Sequence, residues 1–215
     1  MSEPDENSRY YNELAGSSLH RLSGLSDGIF AVAMTLLVLA LAVPTINEAS
    51  TDSDLWRALL KLMPGIVTYF MSFLTLGIFW VGQQTQLSQL ERSNRDYTWI
   101  NLAFLLFVTL VPFSTNLLAS HYTLRLALVE YWLNILVLGA LILAGAEYAG
   151  RAGLFNHANQ ALILRAVRRR VYIAQALYLL ATLLCIVDPR LSIGFIVLIQ
   201  LNYAIAPRIA FLHRL

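Results

Sequence analysis

The chain has 215 residues, 58% of them hydrophobic and only 13% charged, with a formal net charge of +2 and a mean hydropathy of +0.62. A charged share about half that of an ordinary soluble domain cannot coat an aqueous surface, and the charges collect between long apolar blocks, which excludes a soluble globular fold and implies a lipid-embedded one. The basic residues sit at block ends rather than on one continuous face, which excludes a nucleic-acid binder, and the single Cys185 allows neither an internal disulfide nor a cysteine metal site.

The first twenty residues are polar and carry Glu3, Asp5, Glu6 and Glu13 against Arg9, which is not the basic leader of a secretory signal. The first apolar block, Ser26 to Val43, is entered through Arg21-Leu22-Ser23-Gly24-Leu25-Ser26-Asp27-Gly28, after which Thr35 is its only hydroxyl. Asp27 stands where hydrocarbon begins, so its carboxylate needs hydrogen-bond donors there or a capping role at the helix start. At about 100° per residue, Arg21, Leu25, Val32, Thr35 and Leu39 fall on one stripe, while Ser26 and Asp27 point away from it. The stripe is free to line something central, and the polar pair to bind neighbouring helices of the same subunit.

The second block, Gly65 to Val81, ends in Phe79-Trp80-Val81-Gly82-Gln83-Gln84, and the third, Trp99 to Leu118, carries Asn101 and a mid-block Pro112 expected to kink it. The Trp80 indole and Asn101 amide are the donors expected to satisfy Asp27. Blocks four to six run from Tyr131 to Ala146, Val171 to Val187 and Leu191 to Ala206. Lys61 and Glu130, near the outer ends of the second and fourth blocks, are each close enough to water to act independently. The basic run Arg165 with Arg168 to Arg170 reads as an extension of the fifth helix, with a separate interfacial helix as the alternative. Blocks of this length, without the ten-residue alternation of a barrel, predict an all-α integral membrane protein.

Placing the amino terminus, the second and fourth connections and the carboxyl terminus on one side collects every lysine and arginine there except Arg57, Lys61, Arg125 and Arg190. By the positive-inside rule that side is cytoplasmic, so both termini are expected inside and the acidic connection with Glu48, Asp52 and Asp54 outside. The chain then divides into a cytoplasmic segment 1–20, a six-helix domain 21–212 and a tail 213–215, multi-pass in the cell membrane. His20, His121, His157 and His213 fall on both predicted faces, and no phosphate-cradling loop or catalytic grouping occurs, so an enzyme is not expected.

The run Arg21-x3-Leu25-Ser26-Asp27-Gly28-Ile29-Phe30-Ala31-Val32-Ala33-Met34-Thr35-Leu36 closely resembles the opening helix of the transmembrane protein 175 family, the endosomal, lysosomal and prokaryotic potassium channels. The resemblance extends to Phe79-Trp80 and to Asn101 followed by Phe107-Val108-x3-Pro112-Phe113-x-Thr115; later helices match only in number and length. Leu25 departs from the family's phenylalanine, and Gln83-Gln84 stands where many members carry two histidines, which removes imidazole titration at that place.

The resemblance implies a prokaryotic member: a six-helix subunit, a homotetramer in the lipid bilayer, and a central pore lined by the first helices. It implies passage of potassium ions with no cofactor and no re-entrant filter loop. Carried over, the narrowest rings are Val32 and Leu39 with Thr35 between them, and Arg21, Ser26, Asp27, Trp80 and Asn101 form a structural node behind the pore. Aliphatic rings cannot coordinate an ion, so the implied selectivity is a modest potassium preference through partial dehydration. The alternative is a proton- or cation-coupled carrier in which Asp27 changes protonation.

Overall fold

The computed structural model describes residues 18–39, 41, 51–155 and 160–205. Most of the 1–20 segment, the end of the first block, His157, Ala206 and the 213–215 tail lie outside the described residues. Among those described, regular structure is helical: α1 Leu19–Val38, α2 Asp52–Lys61, α3 Met63–Leu87, α4 Arg95–Ser120, α5 Arg125–Arg151, α6 Gln160–Leu183 with a 3-10 turn Leu184–Ile186, and α7 Pro189–Ile205. Five of these, α1, α3, α4, α5 and α6 with its 3-10 turn, are long and apolar enough to cross a bilayer. The block expected as a sixth span is α7, of 17 residues.

The helices outrun the apolar blocks that announce them. The block Tyr131 to Ala146 becomes Arg125–Arg151, because an apolar run measures hydrocarbon depth, whereas a nucleated helix gains one backbone bond for each residue added through its polar flanks. Likewise α3 does not end at Phe79-Trp80 but continues to Leu87, which brings Gln83 and Gln84 onto it. The basic run Arg165 to Arg170 lies within α6, so it extends a long helix rather than forming a separate one.

The helix α2 occupies what the sequence reading treats as a connection. Thr51 caps it in extended conformation, accepting from the Asp54 amide at 3.2 Å, and Asp52, Asp54 and Lys61 sit at the ends that favour their charges. At the other extreme, α5 stops where Gly153 takes a positive φ of 62°, a conformation that glycine adopts without Cβ strain, and Leu154 N then donates to Ala149 O at 2.9 Å.

Two compact units emerge. The first comprises Met1–Ala31, Phe79–Thr109 and Ile135–Ala176. Its core cluster joins Leu22, Leu87, Leu90, Tyr97, Ala149, Leu154 and Phe155, and Glu91 N donates to Leu154 O at 2.9 Å beside the short Leu90–Phe155 pairing. Here α5 and α6 approach closely: a Cβ on Gly139 would collide with Gln175 Nε2, which donates to Ile135 O at 3.1 Å. One turn from the α5 terminus, the Arg168 guanidinium forks onto both oxygens of Glu147.

The second unit comprises Val32–Ile78, Leu110–Asn134 and Leu177–Leu215. Tyr131 is its polar hub. The phenol lies 3.1 Å from Ser72 Oγ and 3.0 Å from Thr75 Oγ1; Thr115 Oγ1 is 2.6 Å from Ser72 Oγ, and Gln200 Nε2 donates to Thr75 Oγ1 at 2.7 Å and Tyr178 OH at 3.3 Å. Glu130 accepts from Ser114 Oγ at 3.0 Å, and Ser114 in turn accepts from Asn134. No ion pair joins Glu130 to the exposed Lys61 among the described residues, and Glu130 does not reach water as expected, since its Oε2 is buried.

A leucine at Gly139 displaces Gln175 and overpacks the α5–α6 contact, so Gly139→Leu is expected to destabilise the protein by about 2 kcal/mol. Thermal unfolding in detergent measures this, with Gln175→Ala recovering part of the loss in the same background.

Candidate functional site

The buried residues of α1 are Leu22, Ser26, Phe30, Ala33 and Leu37, which recur at helical spacing on one face. Ser26 is the polar member of that face, so it must find partners inside the protein. Its hydroxyl donates to Leu22 O at 2.9 Å and accepts from Gln83 Nε2 at 2.9 Å and, more weakly, from Asn101 Nδ2 at 3.4 Å. Gln83 Nε2 also donates to Asn101 Oδ1 at 2.7 Å, so one amide group ties α1, α3 and α4 together.

Asp27, one residue on and about 100° around the helix, is served by different donors. Trp80 Nε1 and Gln84 Nε2 donate to Asp27 Oδ1 at 2.8 and 2.6 Å, and Gln84 Oε1 accepts from Ser23 Oγ at 3.1 Å. The spacing explains the convergence: Trp80 and Gln84 are four apart on α3, and Ser23 and Asp27 four apart on α1, so each pair shares a face. Phe104 packs its ring against Phe30 and Phe79 at centroid distances of 6.0 and 6.2 Å. Gln83 Oε1 is buried without a protein partner among the described residues, and Gln83 lines a cavity of about 10 Å³ with Tyr97 and Asn101, close to the size of one water.

Ser26, Asp27, Trp80 and Asn101 therefore meet in one cluster. Asn101 serves Ser26 and Gln83 rather than Asp27, and Arg21 is exposed with no side-chain bond to the cluster among the described residues. Gln83, Gln84 and Ser23 were the residues missed. Read only as departures from a histidine pair, the two glutamines are in fact the principal links, and their three- and four-residue spacing from Trp80 was the available signal.

Val32, Thr35 and Leu39 take no part in this cluster. They are exposed, Val32 by 57% and Leu39 by 76%, so among the described residues little packs against them. Thr35 Oγ1 donates to Val32 O at 2.8 Å. That bond commits the hydroxyl proton to the helix backbone and leaves the oxygen lone pairs as an acceptor for a cation. Among the described residues no group of three His, Cys, Asp or Glu side chains is placed to hold a metal.

Long apolar helices with exposed aliphatic faces and polar side chains paired inward define a multi-span helical membrane protein. The family described as "Endosomal/lysosomal potassium channel TMEM175" matches residues 21–112. A potassium channel of Streptomyces collinus is 32% identical over 85% of this chain and 90% of its own, and one of Chamaesiphon minutus is 30% identical over 88% and 95%. The crystal structure of a lysosomal potassium-selective channel TMEM175 homolog from Chamaesiphon minutus superposes with a TM-score of 0.75 at 28% identity, covering 86% of this chain and 96% of that one. The chain belongs to the TMEM175 family.

Gln83→Leu removes both donor contacts of Nε2 and leaves buried acceptors behind, so it is expected to cost about 1–2 kcal/mol. Trp80→Phe is expected to cost less, since Gln84 still serves Asp27 and Trp80 is partly exposed. Paired thermal melts of the two variants in one detergent test that order.

Proposed function

We propose that this chain is the subunit of a homotetrameric, potassium-permeable cation channel that conducts passively. In this reading α1, α3, α4, α5, α6 and α7 are six spans, and both termini face the cytoplasm, as the arginine distribution favours. Four α1 helices surround the axis, with Val32 and Leu39 as aliphatic constrictions and Thr35 between them. The observation that carries the reading is the unpacked state of these three residues, on the helix whose opposite face is buried. Family membership and the potassium-channel names of the two bacterial relatives supply the permeant ion.

Selectivity in such a pore comes from side chains. Tight aliphatic rings strip water without replacing it, which favours potassium because it gives up water more readily than sodium, and a ring of Thr35 oxygens offers partial compensation. Ser26, Asp27, Trp80 and Asn101, with Gln83 and Gln84, hold the pore helix from behind. The carrier reading, in which Asp27 moves protons, is weaker because Asp27 must release both Trp80 and Gln84 to act in transport.

Purified protein in liposomes is expected to give a potential that follows the potassium gradient and ignores an imposed proton gradient; stoichiometric proton coupling would overturn the proposal. Val32→Asn wets the constriction and is expected to raise potassium flux severalfold. Thr35→Cys is expected to yield disulfide-linked dimers on oxidation, read on a non-reducing gel, since the four positions meet at the axis.

A further inference from the structure

The face of α5 at Ala140, Leu143, Ala144, Glu147, Tyr148 and Arg151 carries an open groove of about 400 Å³. That volume lies in the range of roughly 300–1,000 Å³ in which small-molecule sites occur. The groove is long: Ala140 to Arg151 covers about 16 Å of helix axis at 1.5 Å per residue. Ala140 and Ala144, four apart on one face of α5, line it together with Leu143, and the exposed Arg151 lines it at the helix end. A long apolar trough with a cation at its mouth has the shape of a lipid chain with its headgroup rather than of a compact solute.

The electrostatics sharpen the choice. Glu147 is already held by Arg168, which spends Nε and one terminal nitrogen on it and keeps the other terminal nitrogen. Tyr148 donates to Asp96 at 3.1 Å and accepts from Asn94 at 3.0 Å, so its hydroxyl is also engaged. Arg165 and Arg169, on the same α6 face as Arg168, are exposed, and so is Tyr172 one turn further along. Two carboxylates stand near the groove, Glu147 held by Arg168 and Asp96 accepting from Tyr148, against the four arginines Arg151, Arg165, Arg168 and Arg169 of this end of α5 and α6. Positive charge is therefore in excess, and guanidinium groups match phosphate oxygens in bidentate geometry.

We propose that this groove binds an anionic phospholipid of the leaflet on the arginine-rich side, with an acyl chain along Ala140 and Ala144 and its phosphate between Arg151 and Arg165. The site lies outside residues 21–112, the segment that the family matches, and does not share residues with the α1–α3–α4 cluster. It gives the surface of this chain a chemical preference among lipids, independent of what the pore conducts.

The test is native mass spectrometry of the delipidated full-length protein titrated with phosphatidylglycerol or phosphatidylcholine. Phosphatidylglycerol is expected to bind more tightly, and Arg151→Gln with Arg165→Gln to weaken it by roughly fivefold per arginine, about twenty-five-fold for both, while leaving phosphatidylcholine unchanged. Ala144→Trp is expected to reduce binding of both lipids by filling the trough, and inorganic phosphate not to compete. The proposal is overturned if the double variant keeps the phosphatidylglycerol preference, if phosphate displaces the lipid, or if Ala144→Trp changes the oligomeric mass instead, which would make this face a contact between copies. Potassium flux of the wild type in phosphatidylcholine vesicles reports separately on conduction.

Discussion

Hydrocarbon offers no hydrogen bonds, so every polar group placed at membrane depth must find its partner within the protein. In the first unit two adjacent pairs meet that demand for Ser26 and Asp27, Ser26-Asp27 on α1 against Gln83-Gln84 on α3, with Trp80 and Asn101 completing them. Of the cluster's amide oxygens only Gln83 Oε1 is left without a protein partner among the described residues. Consecutive residues point about 100° apart, so two neighbouring bonds fix both the rotation and the height of α1 against α3. A single contact would leave the helix free to turn. The remaining hydroxyls mostly answer the same demand locally, as Thr68, Thr75 and Thr85 do by turning back onto carbonyls one turn earlier.

With its rotation fixed, α1 necessarily presents the opposite face outward. Val32, Thr35 and Leu39 are exposed not because the helix is loosely packed but because Ser26 and its buried companions are held elsewhere. The proposed pore depends on that division of labour, in which one face selects the partner helices of the subunit and the other would be left for ions and symmetry-related copies. Thr35 adds a finer feature, since its proton is committed to Val32 O and only its lone pairs are available outward.

Glutamine at positions 83 and 84 changes the character of the cluster relative to the histidine pair suggested by the resemblance. A neutral amide carries a donor and an acceptor at once and holds both without titrating near neutral pH. Gln84 uses both ends, giving to Asp27 and taking from Ser23, and Gln83 spends one NH2 group on two acceptors. The links across α1, α3 and α4 are thus built without an ionisable imidazole.

Much of this was legible in the sequence. Apolar blocks of bilayer length announced helices at nearly the right places, and helical periodicity alone separated the Val32–Thr35–Leu39 stripe from Ser26, because both depend only on local geometry and composition. Helix ends were not legible, nor was α2 as a helix, since hydropathy reports depth and not where backbone bonding stops. Tertiary structure alone decided that Asn101 turns to Ser26 and Gln83 instead of Asp27, that the glutamines are the links, and that Tyr131 gathers Ser72 and Thr75 from α3. Those outcomes turn on which side chains from distant segments arrive within about 3 Å of each other, and no spacing along one helix contains that distance.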